Sequence, residues 1–319
     1  MNAIQTALPA CSEGITSELF EQWAAYIDGS ERTRDTYTRN VKHFAEWLRV
    51  NQITAPTRAD VIRYREELAQ EHKPATVHGY IVAVKLFFQW LAAAGIYPNI
   101  AERVKNAKVD PYHKKDPLTS KQAGKVLDSL DLETLAGLRD YALICVMLTT
   151  GLRTKSIELA NVGDLGTAHG LPVLYYQGKG HQEKGDFVKL SEPVRAALSR
   201  YLKARGDLLP SAPLFASTAN RNAGERITTR SISRIVKNAL HAAGLSSDRL
   251  TAHSLRHTAA TLAIENGATL QEVQQLLGHK NISITMIYLH DLERAQNTSA
   301  DRISAAIFSG GGEAPPRNQ

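Results

Sequence analysis

His253, Arg256 and His257 stand within five residues of one another, His279 follows Gly278, Tyr288 comes nine residues after His279, and Arg153 lies far upstream. The set is one phenol among cationic and imidazole donors. A phenol has a pKa of about 10, so roughly one molecule in a thousand is ionised at neutral pH, and unaided it is a poor nucleophile. When it attacks a phosphodiester, negative charge grows on the non-bridging oxygens, and guanidiniums clamp those oxygens with paired donors. Losing one such donor costs on the order of 3 kcal/mol of transition-state stabilisation. Imidazoles exchange protons near neutrality, and a lysine can protonate the departing oxygen. The chemistry that fits is phosphoryl transfer to tyrosine, and this scheme requires no metal.

Taken one at a time, these residues have plainer readings. His253 and His257, four apart, share a helix face and could bind zinc, but no Glu lies between them and no thiolate is near. Tyr288 sits among Ile282, Ile284, Met286, Ile287 and Leu289, where a core tyrosine is ordinary. Arg153 follows an apolar helical run over residues 141–148 and Gly151, where a basic residue often meets a helix dipole. Only their ordered combination points to catalysis.

Thr150-Gly151-Leu152-Arg153, His253-Ser254-Leu255-Arg256-His257, Leu277-Gly278-His279 and Tyr288-Leu289-His290 together resemble the signature of the tyrosine recombinases, the phage integrase and Xer family. The resemblance covers residues 117 to 308 and, more loosely, the helical region before them. It implies that Arg153 and Arg256 hold the scissile phosphate of double-stranded DNA, that His253 and His279 complete the donor shell, and that Tyr288 attacks to leave a 3'-phosphotyrosyl link. The freed 5'-hydroxyl of the partner strand then reverses the step through a Holliday junction, with no ATP, ion or other cofactor. His257 and His290 take supporting roles.

The proton donor to the leaving oxygen is assigned through the same resemblance. A polar turn over residues 178–185 joins two strand-like runs, 171–177 and 186–190, with glycines at both ends. The family carries Gly-Lys-Gly at this hairpin, which makes Lys179 the general acid and Lys184 the reserve. This turn is about two residues longer than the common form. Family members also often place an acidic residue three positions past the first arginine; here stands Ser156, and the nearest carboxylate is Glu158. Lys155 reads as solvated.

Length and composition set looser bounds. The 319 residues, 43% hydrophobic and 22% charged, suffice for two globular domains with separate cores. A net charge of +6 agrees with a polyanionic partner. Residues 1–116 carry 15 basic against 14 acidic side chains and the remainder 23 against 18, so the surplus accompanies the chemistry. Two cysteines, Cys11 and Cys145, make no disulfide framework, and no stretch reads as long enough to span a bilayer. A cytoplasmic protein is expected.

The expected fold is mainly α: an N-terminal four-helix core-binding domain, SAM-like by the family resemblance, and a C-terminal mixed α/β catalytic domain, mostly helical with a small antiparallel sheet. Residues 1–14 and 309–319 read as loose ends, 15–104 as the helical DNA-binding domain, 105–117 as a polar linker and 118–308 as the catalytic domain. Apolar periodicity, a cap at Ser30, another at Thr57 and Pro74 at a helix start mark the four helices. The resemblance turns the second and fourth toward DNA, making Arg34, Arg39 and Lys85 candidate contacts. Ile303, Ala306, Ile307 and Phe308 would pack on their own domain or, by the resemblance, into a neighbouring subunit, giving a homo-tetramer on DNA and a monomer or dimer without it. Two other functional classes use the same features: a type IB topoisomerase acting on one duplex, and a DNA-binding regulator that has lost chemistry.

Overall fold

The computed structural model describes residues 17–109, 115–178, 183–295 and 297–308. Both expected loose ends, Cys11 and Lys179 lie outside these residues. The chain divides into two compact units, Met1–Pro111 and Tyr112–Gln319.

Among the described residues the first unit holds four helices: α1 (Ser17–Tyr26), α2 (Glu31–Val50), α3 (Arg58–Glu71) and α4 (Pro74–Ala93). Their starts obey local chemistry. The Ser30 side chain accepts from the Thr33 amide, the Thr57 amide donates to the Asp60 carboxylate at 2.8 Å, and Pro74, which has no amide proton to lose, opens α4. Apolar side chains recurring every three or four residues bury one face of each helix. Phe44, Tyr64, Phe87 and Phe88 are fully covered, with Phe44 and Tyr64 edge to face at 4.9 Å. Contrary to the sequence expectation, α4 is long and apolar enough to cross a membrane by length and composition; Val77, Ile81, Val84, Phe87, Phe88 and Leu91 bury that apolar content in this core. Residues up to Ala107 lie back on the same helices: Tyr97 donates to the Pro56 carbonyl at 2.9 Å and Arg65 to that of Lys105 at 2.9 Å.

The second unit contains α5 (Ser120–Asp128), α6 (Leu135–Thr150), α7 (Thr154–Leu159), a three-stranded sheet, α8 (Glu192–Arg205), α9 (Thr229–Ala242), α10 (Ala252–Glu265), α11 (Leu270–Leu277), α12 (Ser283–Ala295) and α13 (Ser299–Phe308). The sheet is antiparallel in the order β1 (Leu165–Ala168), β2 (Leu171–Tyr176), β3 (Asp186–Lys189). The first strand begins at Leu165, directly after Val162–Asp164 forms a 3-10 turn. Helix α6 is the hub, buried over nearly its whole length including Cys145. α8 and α10 both pack on it.

Candidate active site

Helix ends at Gly151 and Gly278 and capped helix starts bring the site together. Helix α6 ends at Gly151, which adopts φ 62°, a left-handed conformation suited to glycine. A Cβ there would also stand 2.6 Å from Leu277 Cδ2. Two residues on, Arg153 is the N-cap of α7 and half-buried. The elbow that presents Arg153 therefore also touches the end of α11. Helix α10 starts with a capping box between Thr251 and Ser254, and its first turns carry His253, Arg256 and His257 at spacings that share one face. Arg256 is 3% exposed and donates at 2.6 Å to the Gly151 carbonyl and at 2.6 Å to the Leu277 carbonyl. It is thus bolted to both helix ends, and burial beside Arg153 lowers its pKa to about 10, leaving it charged at neutral pH.

A capping box of Thr269 and Glu272 opens α11 and Gly278, at φ 58°, closes it. The reversal folds His279 back, its amide donating to the Gln274 carbonyl at 3.1 Å. His279 is buried, and its Nδ1 lies 2.9 Å from Thr285 Oγ1, so the threonine fixes how the ring is turned. Thr285 precedes Tyr288 by one turn of α12.

Tyr288 is 4% exposed. Its ring completes a small apolar cluster with Ala260, Val273 and Leu277, so the core reading holds for the ring. The environment on its other side is polar. The His257 ring centroid is 5.2 Å away, and the His279 ring stacks parallel at 6.5 Å. Burial pushes the phenol above its ordinary pKa, while Arg256 and Arg153 both pull it back. Both guanidiniums thus favour the phenolate that attack would require.

The other candidates fall as follows. His253 is exposed and meets Tyr288 through His257, which it contacts edge to face at 4.6 Å. His257, given only a supporting role by the sequence, is itself 2% exposed and touches the nucleophile's ring. His290 is exposed and faces Glu293, with Nδ1 3.4 Å from the carboxylate; two residues past Tyr288 on a helix, it points to a different side. Lys184 donates to the Asp164 carboxylate at 2.5 Å and to the Leu159 carbonyl at 2.8 Å. Ser156 is buried and donates to the Gln177 carbonyl at 3.1 Å, tying α7 to the end of β2. Glu158 instead accepts from Lys155 at 2.7 Å and from the Thr229 amide at 2.8 Å, holding the start of α9. In the first unit Arg34 and Arg39 are exposed on α2 and Lys85 is half-buried on α4. Sequence reasoning missed Thr285 and Tyr176. Thr285 was signalled by its one-turn spacing from Tyr288, whereas nothing local marks Tyr176. A cavity of about 720 Å³ opens on Arg153, Tyr176, Asp186, Gly278 and His279.

A helical domain with a small antiparallel sheet, holding the buried Tyr288 under the influence of two arginines and against flanking histidines, defines the class of enzymes that pass a phosphoryl group to tyrosine. Residues 116–294 match the phage integrase family, and residues 20–95 match the N-terminal SAM-like domain of phage integrases. Tyrosine recombinase XerC of Pelobacter propionicus is 30% identical over 270 residues, covering 82% of this chain and 85% of the relative. The crystal structure of XerH recombinase bound to palindromic difH substrate superposes with a TM-score of 0.67 at 21% identity, covering 84% of this chain and 80% of that one. A lambda integrase tetramer bound to a Holliday junction gives 0.65 at 20% identity, covering 85% and 76%. The chain belongs to the phage integrase family of tyrosine recombinases.

Proposed function

We propose that this protein is a site-specific DNA recombinase that cleaves and rejoins strands through a 3'-phosphotyrosyl intermediate and a Holliday junction, serving the integration, excision or resolution of DNA elements. The observation that carries the reading is Tyr288, buried against His257 and His279 and acted on electrostatically by both Arg256 and Arg153. Arg153 and Arg256 clamp the non-bridging oxygens, and His253 and His279 complete the donor shell. The Tyr288 oxygen forms a bond to phosphorus as the bond to the 5' oxygen breaks. That oxygen takes a proton, and the incoming 5'-hydroxyl of the partner strand later reverses the step. The phosphotyrosine conserves the bond, so ATP has no part in it. Lys179 is the proton donor in this scheme; the ion pair of Lys184 with Asp164 supports that choice over Lys184.

Arg34, Arg39 and Lys85 contact the DNA backbone from residues 15–104, residues 105–117 link this domain to the catalytic domain at 118–308, and four copies assemble on paired sites in the cytoplasm. The match of residues 20–95 to the integrase N-terminal domain favours a recombinase over a topoisomerase working on a single duplex.

The test is incubation with a library of nicked duplexes, capture of covalent protein–DNA complexes and sequencing of their ends. Wild type is expected to return a defined site. Tyr288→Phe is expected to bind that site nearly as well and form no adduct, since only the nucleophile is removed. Adduct from the variant overturns the assignment.

A further inference from the structure

The sheet brings a second phenol to this site. Tyr176 ends β2, lies opposite Asp186 in the ladder and is 6% exposed. Its hydroxyl reaches the close of α11, where a Cβ built on Gly278 would stand 3.1 Å from it. A glycine at that position leaves the phenol its place. The residue lines the same cavity as Arg153 and His279. Among the described residues its hydroxyl forms no hydrogen bond, and the side chain opens on the cavity. Arg256 and Arg153 act on it electrostatically, but burial and Asp186 prevail and raise its pKa. The O–H therefore keeps its proton at neutral pH and can donate it into the cavity. Guanidiniums carry donors only, so Arg153 and Arg256 cannot accept that proton, whereas an oxyanion held between them can.

We propose that Tyr176 is a further phosphate-binding residue of the recombination site, its hydroxyl donating a hydrogen bond to one non-bridging oxygen of the scissile phosphate beside Arg153 and Arg256. The inference rests on the recombinase reading and adds a neutral donor that the motif does not contain. A neutral donor suits a site already crowded with positive charge, because it strengthens as the oxygen gains charge in the transition state without repelling the arginines.

On the duplex returned by the covalent-capture library, Tyr176→Phe is expected to form adduct on the order of 10²-fold more slowly, with DNA affinity retained. Methylphosphonate substitution of either non-bridging oxygen separates donation from scaffolding. On the isomer lacking the accepted oxygen, wild type and variant are expected to react at equal rates, and on the other the difference should persist. Equal slowing of the variant on both isomers, or no slowing on the natural phosphate, overturns the proposal. Orthovanadate soaked into wild-type crystals keeps the two readings apart. Vanadate bound by Arg153 and Arg256 with the Tyr176 hydroxyl about 3 Å from one of its oxygens supports the proposal. The same vanadate with the hydroxyl turned away removes Tyr176 alone, and no vanadate at these arginines removes both readings.

Discussion

Arg256 joins structure and chemistry in one side chain. Its two terminal nitrogens reach the Gly151 and Leu277 carbonyls, both at 2.6 Å, which uses the planar fork to set where the remaining donors point. A lysine would keep the charge but present a single ammonium on a flexible stem. Arg256→Lys is therefore expected to fold and bind DNA yet to lose 10²-fold or more in covalent adduct formation, on the order of one preorganised transition-state donor. A loss under tenfold in single-turnover assays would place the phosphate elsewhere. Tyr288 offers an independent check through pH. Its folded-state pKa is raised, chiefly by burial, so the neutral phenol is the form the fold prefers. That contribution is complete below the unfolded pKa of about 10 and is lost as pH climbs through the higher folded value. Between about pH 8 and pH 11, wild type should lose more melting temperature than Tyr288→Phe measured alongside it, because only wild type must ionise this group. Identical losses in the two proteins would show that the phenol is not held in a desolvated place.

At the scale of elements, the site depends on where helices stop. Gly151 is required twice over, by its φ of 62° and by the 2.6 Å at which a Cβ would meet Leu277. Gly151→Ala is expected to cost roughly 2–4 kcal/mol in denaturant unfolding, from left-handed strain and forced repacking, and to move the end of α11 away from Arg256. Wild-type stability in this variant would contradict that account. The entry to the catalytic unit is fastened in a similar way: the Leu118 amide donates to Thr258 Oγ1 at 2.8 Å, in a fully buried position on α10. Thr258→Val keeps the shape and strands that amide, at an expected cost of about 1–3 kcal/mol; a change below a few tenths would mean that the amide finds another partner. Much of this architecture was legible beforehand. Helix starts at Ser30, Thr57 and Pro74 were visible because capping and proline chemistry are local, as were the hairpin strands and the order Arg153, His253, Arg256, His279, Tyr288. Less legible was everything set by distant partners. The six-residue α7 is too short to show periodicity, His257 lies nearer Tyr288 than His253 does because of how α10 meets α12, and Tyr176 enters the site only because β2 ends beside Gly278.

At the scale of the whole molecule, α13 is the element that nothing among the described residues covers. None of its residues is buried, yet Ile303, Ile307 and Phe308 are 59%, 64% and 82% exposed, with Ile303 and Ile307 one turn apart on a single side. Large apolar side chains grouped on an exposed helix mark an interaction surface, and in a protein proposed to work as four copies on DNA the natural occupant is the next copy. The two roles an end helix can have predict different results when residues 299–319 are removed. A helix that supports its own domain would, when lost, lower the melting temperature of the isolated protein. A helix that reaches a neighbour would leave that temperature unchanged while assembly fails. The structure favours the second: the shortened chain should melt with wild type, form adduct on a single nicked site, and give species smaller than a tetramer when its mass is measured on a synthetic four-way junction. An intact tetramer from the shortened chain, or a clear drop in melting temperature, would return α13 to its own subunit and leave the coupling between protomers to other surfaces.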